Sequence, residues 1–207
     1  MDHHDHHDHD LTFQPDEEDS LGHYAIAEMA MRELLMEKGI IAGDEFRSAL
    51  EWYDRASPAL GAKIIARAWT EPDFKKRLME QPNEAVAEYG VNMGHVDLYT
   101  LENTTSLHNV IVCTLCSCYP RALLGIPPDW YKSRSYRARV VREPRAVLSE
   151  FGTNLPEDVE VRVHDSTADL RYLVVPARPE GTDDWSAQAL ESLITRDTMI
   201  GVTLPSV

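Results

Sequence analysis

Cysteine is scarce in this 207-residue chain: three occur, and all three fall within residues 113–118. An odd, tightly clustered set excludes a disulfide framework, which needs paired cysteines spread along the chain. No run approaches the roughly 18–20 consecutive apolar residues that span a bilayer. The opening residues MDHHDHHDHD hold no apolar stretch, so they do not read as a secretory leader. Basic residues are also in short supply, 20 against 35 acidic ones, for a formal net charge of −15. With the acidic residues distributed throughout, neither nucleic acid nor a membrane is expected as a main partner. These absences lead to the expectation of a cytoplasmic protein. The hydrophobic share, 43%, is enough for a sizeable core. The length suits one compact domain with an arm, or two small domains.

Three regions differ in pattern. Residues 1–19 carry five histidines among aspartates and have almost nothing to bury, so disorder is expected there. Imidazoles are common transition-metal ligands, so this tail reads either as a metal collector or as a solvated end. Residues 20–90 read as a helical arm. Ser20 is placed to cap a helix that Gly39 ends, and Phe46, Ala49, Leu50 and Tyr53 line one face of a second helix over 44–55. Ser57-Pro58 supplies an N-cap and a proline at the first position of a third helix, whose apolar face is Ile64, Ile65, Ala68 and Trp69. Shorter helical pieces follow over 73–79 and 83–89. Residues 91–207 then turn α+β. Strands are expected at 96–101 and 107–112, a helix from Glu143-Pro144 to Phe151, and a strand in which Val159, Val161 and Val163 alternate with polar residues. Asp165-Ser166-Thr167 forms a turn that returns the chain as a strand over 170–175, and Ser186 caps a last helix to about Thr195. No βαβ alternation and no internal repeat is visible.

The chemistry concentrates in Val112-Cys113-Thr114-Leu115-Cys116-Ser117-Cys118-Tyr119-Pro120. Cys113 and Cys116 have CxxC spacing, Cys116 and Cys118 CxC spacing, so three sulfurs meet one metal only if the backbone curls tightly. A free thiol titrates at about 8.5, and three adjacent thiolates repel unless a cation neutralises them. A bound metal removes that penalty. On the residues alone, three readings stand: structural zinc with His108 or His164 as a fourth ligand, an open catalytic metal, and a redox dithiol.

This segment resembles the metal-binding claw of the nitrile hydratase α subunit, cobalt type, and the resemblance extends well beyond it. Glu102-Asn103-Thr104 and His108-Asn109-Val110 precede the claw as in that family. Gly125-Ile126-Pro127-Pro128-Asp129-Trp130-Tyr131-Lys132 and Tyr136-Arg137-Ala138-Arg139-Val140-Val141-Arg142-Glu143-Pro144-Arg145 follow it. Arg171-Tyr172-Leu173-Val174, Arg178-Pro179-Glu180-Gly181-Thr182, Thr195-Arg196-Asp197 and Met199-Ile200-Gly201-Val202 continue the match, which spans about residues 20–203. The resemblance implies a four-layered α/β/β/α domain behind the helical arm. It implies one low-spin Co3+ per chain, with Fe3+ as the alternative, held by the sulfurs of Cys113, Cys116 and Cys118 and by the main-chain amide nitrogens of Ser117 and Cys118. It also implies oxidation of Cys116 to sulfinate and Cys118 to sulfenate, with Cys113 an unmodified axial thiolate. Thr114 and Tyr119, adjoining the ligands, follow the cobalt pattern. Catalytic roles fall to Cys118, through its sulfenate oxygen, and to Ser117, through backbone geometry or a hydroxyl hydrogen bond. The implied reaction is hydration of a nitrile to its amide, at a site completed by a β-type subunit that is in some relatives split into two chains.

Two departures bear on substrate. The family's pocket tryptophan, three residues after the third cysteine, is replaced by Arg121, and an upstream glutamine is replaced near Gly94. A cationic side chain beside the metal changes what fits there. Arginine at this position resembles toyocamycin nitrile hydratase and the γ subunit of thiocyanate hydrolase, so thiocyanate is the alternative substrate. The Glu-Asn-Thr stretch and the compact spacing before the claw look more like the nitrile enzymes. A third reading, suggested by the histidine-rich tail, is a non-catalytic metal storage or delivery protein.

Overall fold

A computed structural model describes residues 22–207, the side chains of 52–55 excepted. The tail over 1–19 and the cap expected at Ser20 lie outside the described residues. Eleven helices and four strands follow among those that are described. Helix α1 (His23–Glu37) starts at Gly22 without a side-chain cap, and Gly39, in the left-handed region at φ 66°, terminates it as expected. Helix α2 is Gly43–Arg55. None of the residues of α1 is buried, and Tyr24, Ile26, Met31 and Leu34 are all exposed.

Helix α3 (Pro58–Thr70) begins with proline at its first position, where the missing N–H costs nothing. Ser57 precedes it in extended backbone but makes no side-chain cap hydrogen bond. Gly61, Ala62, Ile64, Ile65, Ala66 and Ala68 of α3 are buried. Helices α4 (Pro72–Glu80) and α5 (Pro82–Ala87) also open on proline and bury Phe74, Leu78, Ala85 and Val86. The segment expected as an arm therefore divides in two. Residues 58–87 share the core of the strands, and among the described residues none of α1 or α2 belongs to it.

The strands are β1 (Asp97–Glu102), β2 (Leu107–Val112), β3 (Glu160–Asp165) and β4 (Leu170–Val175). Between β2 and β3 lie α6 (Arg121–Leu124), α7 (Asp129–Lys132), α8 (Arg134–Arg139) and α9 (Pro144–Glu150). Helices α10 (Ala187–Glu191) and α11 (Arg196–Ile200) close the chain. The helix expected over 186–195 stops at Glu191, and a separate helix, α11, begins beyond it where Thr195 makes a capping box with Thr198. Ser186 does cap α10, accepting from the Ala189 N–H.

Strand pairing corrects the sequence reading. β1 pairs with β4, β2 pairs with β3, and both pairs are parallel. The turn at 165–167 therefore carries the chain from one pair to the other rather than folding it back as a hairpin. The run from β2 through α6–α9 to β3 is a crossover of the kind that parallel strands require. Its helices are four to seven residues long, too short to show a 3.6-residue period in sequence. The α+β class holds, with helix and strand mixed and no closed barrel among the described residues. Helices α4 and α5 lie on β1, α9 lies on β3, and the strand pairs meet through β2 and β4. β2 is buried along nearly its whole length, as a strand enclosed between layers must be. No described helix is long and apolar enough to cross a membrane.

The end of α11 locks this arrangement. Gly201 sits at φ 91°, and a Cβ there would fall 2.0 Å from the Asn109 carbonyl oxygen of β2. Only glycine allows that approach. Gly201→Ala is expected to cost about 2–4 kcal/mol. At about 2–4 °C per kcal/mol for a domain of this size, Tm should fall by several degrees in a thermal melt. An unchanged melting temperature would mean that this contact does not constrain the fold.

Candidate metal centre

The paired ends of β2 and β3 fix where the cysteine loop starts. Val112 stands opposite Asp165 in the register, and the Ser166 N–H donates to the Val112 carbonyl at 2.7 Å. Beyond that point the Thr114 N–H donates to the Asp165 carboxylate at 2.9 Å, and the Thr114 hydroxyl donates to its other oxygen. Asp165, read from sequence as a turn residue, thus anchors the loop's first leg. The chain then reverses over Leu115, whose side chain is 89% exposed.

That reversal brings the sulfurs together. Cys113 Sγ lies 3.4 Å from Cys116 Sγ, and Cys116 Sγ lies 3.2 Å from Cys118 Sγ. All three ligand atoms fall within 4.8 Å of one another. The Cys116 N–H donates to the Cys113 sulfur at 3.3 Å. Cys113 is buried, Cys118 half-buried and Cys116 exposed, so the cluster has a closed floor and an open face.

Electrostatics make this a site for a cation. Hydrogen bonds from Cys118 and then Cys113, with the amides of Ser117 and Cys118, pull the Cys116 thiol down to about 7. Burial, followed by the hydrogen bond with Cys116, pushes Cys118 up to about 12. One thiol ionises easily at the expense of its neighbour. A full set of thiolates therefore needs a positive ion among them, and three converging sulfurs open to solvent on one side fit a transition metal.

The two histidines considered as a fourth zinc ligand are elsewhere. The His108 Nε2–H donates to the Gly201 carbonyl at 2.7 Å, and its Nδ1 accepts from the Asn103 amide at 3.2 Å. Asn103 Oδ1 accepts from the Asn109 N–H and side-chain amide, at 2.8 and 3.0 Å. The His164 Nε2–H donates to Asn109 Oδ1 at 2.9 Å. Both imidazoles are committed to this network under β2. Among the described residues, the cluster that could hold a metal consists of cysteines alone. The third sulfur also sits where a simple redox dithiol would have none.

Of the other expected residues, Tyr119 is buried with its ring 5.2 Å from that of Tyr131, and its hydroxyl has no hydrogen-bond partner among the described residues. Ser117 is half-buried in the loop, and Arg121 is exposed at the first position of α6. Sequence reasoning gave no role to Tyr131, whose hydroxyl donates to the Cys118 carbonyl at 2.8 Å. It also missed Arg137, which donates to the Leu115 and Cys116 carbonyls at 3.3 and 2.9 Å. Arg171 places positive charge near Cys118, opposing the effect of burial. All three lie in stretches whose resemblance was legible, but no spacing rule linked them to the cysteines. A cavity of about 690 Å³, lined by residues including Phe151, Thr153, Asp197 and Leu204, shares no lining residue with the loop.

With this geometry in place, comparison with known proteins is decisive. Residues 22–203 match the family model described as nitrile hydratase, alpha chain. This chain belongs to the nitrile hydratase alpha-chain family. It is 49% identical over 179 residues to the low-molecular-weight cobalt-containing nitrile hydratase subunit alpha of Rhodococcus rhodochrous, covering 86% of each chain. It is 43% identical to the thiocyanate hydrolase subunit gamma of Thiobacillus thioparus, covering 88% of this chain and 80% of that one. Among solved structures, recombinant thiocyanate hydrolase with partially modified cobalt centres superposes with a TM-score of 0.84 at 41% identity, covering 90% of this chain and 92% of that one. A double mutant of the Fe-type nitrile hydratase of Comamonas testosteroni Ni1 gives a TM-score of 0.81, also at 41% identity, covering 89% and 92%. Family membership and fold are thereby established together.

The histidine network yields a pH test. Burial holds the His108 imidazole below its ordinary value of 6.5, so the folded state favours the neutral ring. The unfolded chain then binds more protons below pH 6.5, and stability is expected to fall as pH drops from there. Thermal melts at pH 7.5 and 5 should show the loss, and His108→Gln should flatten the slope. An equal slope in the variant would mean that His108 is not its source.

Proposed function

We propose that this chain is the metal-carrying catalytic subunit of a cobalt nitrile hydratase, hydrating a nitrile to the corresponding amide. The observation that carries the reading is the convergence of three cysteine sulfurs on one open-faced point in a chain of this family. Cys113, Cys116 and Cys118 hold the metal, with the main-chain nitrogens of Ser117 and Cys118 completing the set. The names of the cobalt-containing relatives support cobalt, and the Fe-type neighbour keeps iron as the alternative. A trivalent ion bound there supplies Lewis acidity toward a nitrile nitrogen or a water molecule.

The chain's own residues provide the rest. Buried Cys113 is shielded from oxidation and serves as a permanent thiolate. Cys116 and Cys118, on the accessible side, are the sulfurs that an external oxidant such as dioxygen would reach, taking them to sulfinate and sulfenate. The oxygen carried by Cys118 is the chain's nucleophile, or its base toward water, and Ser117 orients it through the backbone or its hydroxyl. Thr114 braces the loop on Asp165, and Tyr119 backs it from the core. Arg121 shapes the substrate side. A β-type subunit, single or split into two chains, covers the open face in a cytoplasmic hetero-oligomer. The 89% exposure of Leu115 at the loop's tip supports such a cover.

A second reading, the γ-type subunit of a thiocyanate hydrolase, is favoured by Arg121, whose cationic side chain suits an anionic substrate. It keeps the same metal loop. A third, metal storage or delivery, rests on the histidines of residues 1–19.

Full-length chain purified with its β-type partner separates these. Metal analysis and intact mass are expected to give one cobalt and about three added oxygens per chain. Cys113→Ala should lose the cobalt, and Cys118→Ala should lower nitrile turnover by about 100-fold or more. Zinc in place of cobalt, or an unoxidised chain with full activity, would refute the proposal. Carbonyl sulfide and ammonia released from thiocyanate, without nitrile turnover, would decide for the second reading. Deleting residues 1–19 should leave claw metal and turnover intact, and their loss would favour the third.

A further inference from the structure

The side chains of α7 and α8 approach the cysteine loop from behind, and their donors end on its main-chain carbonyls. The Tyr131 hydroxyl donates to the Cys118 carbonyl, and Arg137 Nη1 donates to those of Cys116 and Leu115. These contacts flank Ser117 on both sides. A trans peptide is planar, so a carbonyl drawn toward one side turns the N–H of the same unit to the other. The Cys116 carbonyl and the Ser117 N–H belong to one such unit. Arg137 Nη1 pulls on the first and so sets which way the second turns.

Tyr131 is fully buried, its ring packed edge-on against Tyr119 and Trp130 at 5.2 and 5.9 Å. The Arg137 Nε–H is buried and has no acceptor among the described residues. An unsatisfied buried donor works against folding, so stability alone does not account for placing the guanidinium here.

We propose that Arg137 and Tyr131 are positioning residues of the metal-binding loop, fixing by its carbonyls the backbone turn that makes the sulfurs converge and the direction in which the Ser117 amide points. This rests on the metal-binding reading of the loop and assigns part of its affinity to two residues that touch no sulfur.

Tyr136 provides an internal control. Its hydroxyl makes the same kind of bond, 2.7 Å to the Ile111 carbonyl, but on β2 before the loop begins. The test titrates metal-free full-length chain with divalent cobalt and follows cobalt–thiolate absorption, with Cys113→Ala as the blank, alongside thermal melts of each metal-free variant. Tyr131→Phe and Arg137→Met are each expected to weaken cobalt binding by about tenfold or more. Arg137→Lys, which keeps a cationic donor, should fall between wild type and Arg137→Met and guards against a folding defect in the latter. Tyr136→Phe should lower Tm yet leave cobalt affinity within about twofold of wild type. Wild-type affinity in Tyr131→Phe and Arg137→Met would overturn the proposal, as would an equal loss in Tyr136→Phe. A wild-type chain with no cobalt–thiolate band would instead overturn the metal reading on which it rests.

Discussion

Three sulfur atoms within 4.8 Å of one another cannot all carry negative charge unless a cation shares their space. Hydrogen bonds lower the Cys116 thiol, while burial, and after it the bond with Cys116, raises that of Cys118. Everything around the loop is arranged to keep the sulfurs crowded despite the cost. Asp165 restrains the first leg through Thr114, while Arg137 and Tyr131 hold the second through its carbonyls. The chain builds the unfavourable arrangement from neutral parts, and a bound metal ion would turn it into a favourable one.

The support for that loop is the buried strand β2 and the polar network beneath it. His108, Asn103, Asn109 and His164 use their donors and acceptors on one another and on the Gly201 and Glu102 carbonyls. Polar side chains under a buried strand are costly unless satisfied in this way, and once satisfied they define one register. The close approach of Gly201 to Asn109 ties α11 to the same place. The loop thus springs from a rigid platform, as a site that must hold several ligands to a fraction of an ångström requires.

The outer side differs in character. Leu115 and Ile126 are exposed near the cysteine loop in sequence, and helix α1 buries none of its residues. A chain with a well-packed interior and apolar side chains left on its exterior accords with the proposed role as one subunit of a larger enzyme.

Much was determined by the sequence itself. The positions of β2 and β4, the proline starts of α3 and α9, the glycine stop at Gly39 and the cap at Ser186 all depend on local rules that act within a few residues. The three clustered cysteines pointed to a metal because charge repulsion among neighbouring thiolates is a short-range matter, and the extended resemblance then named the family. Tertiary structure decided the rest. Parallel pairing was hidden because the crossover helices are too short to show periodicity, so the turn at 165–167 looked like a hairpin. His108 and His164 were eligible as ligands by residue type alone, and only their distant partners, Gly201 and Asn109, withdrew them from that role. Asp165 lies 51 residues beyond Thr114 and Arg137 lies 21 beyond Cys116. No local pattern carries contacts across such separations, because they exist only once β2, β3 and the helices between them have packed.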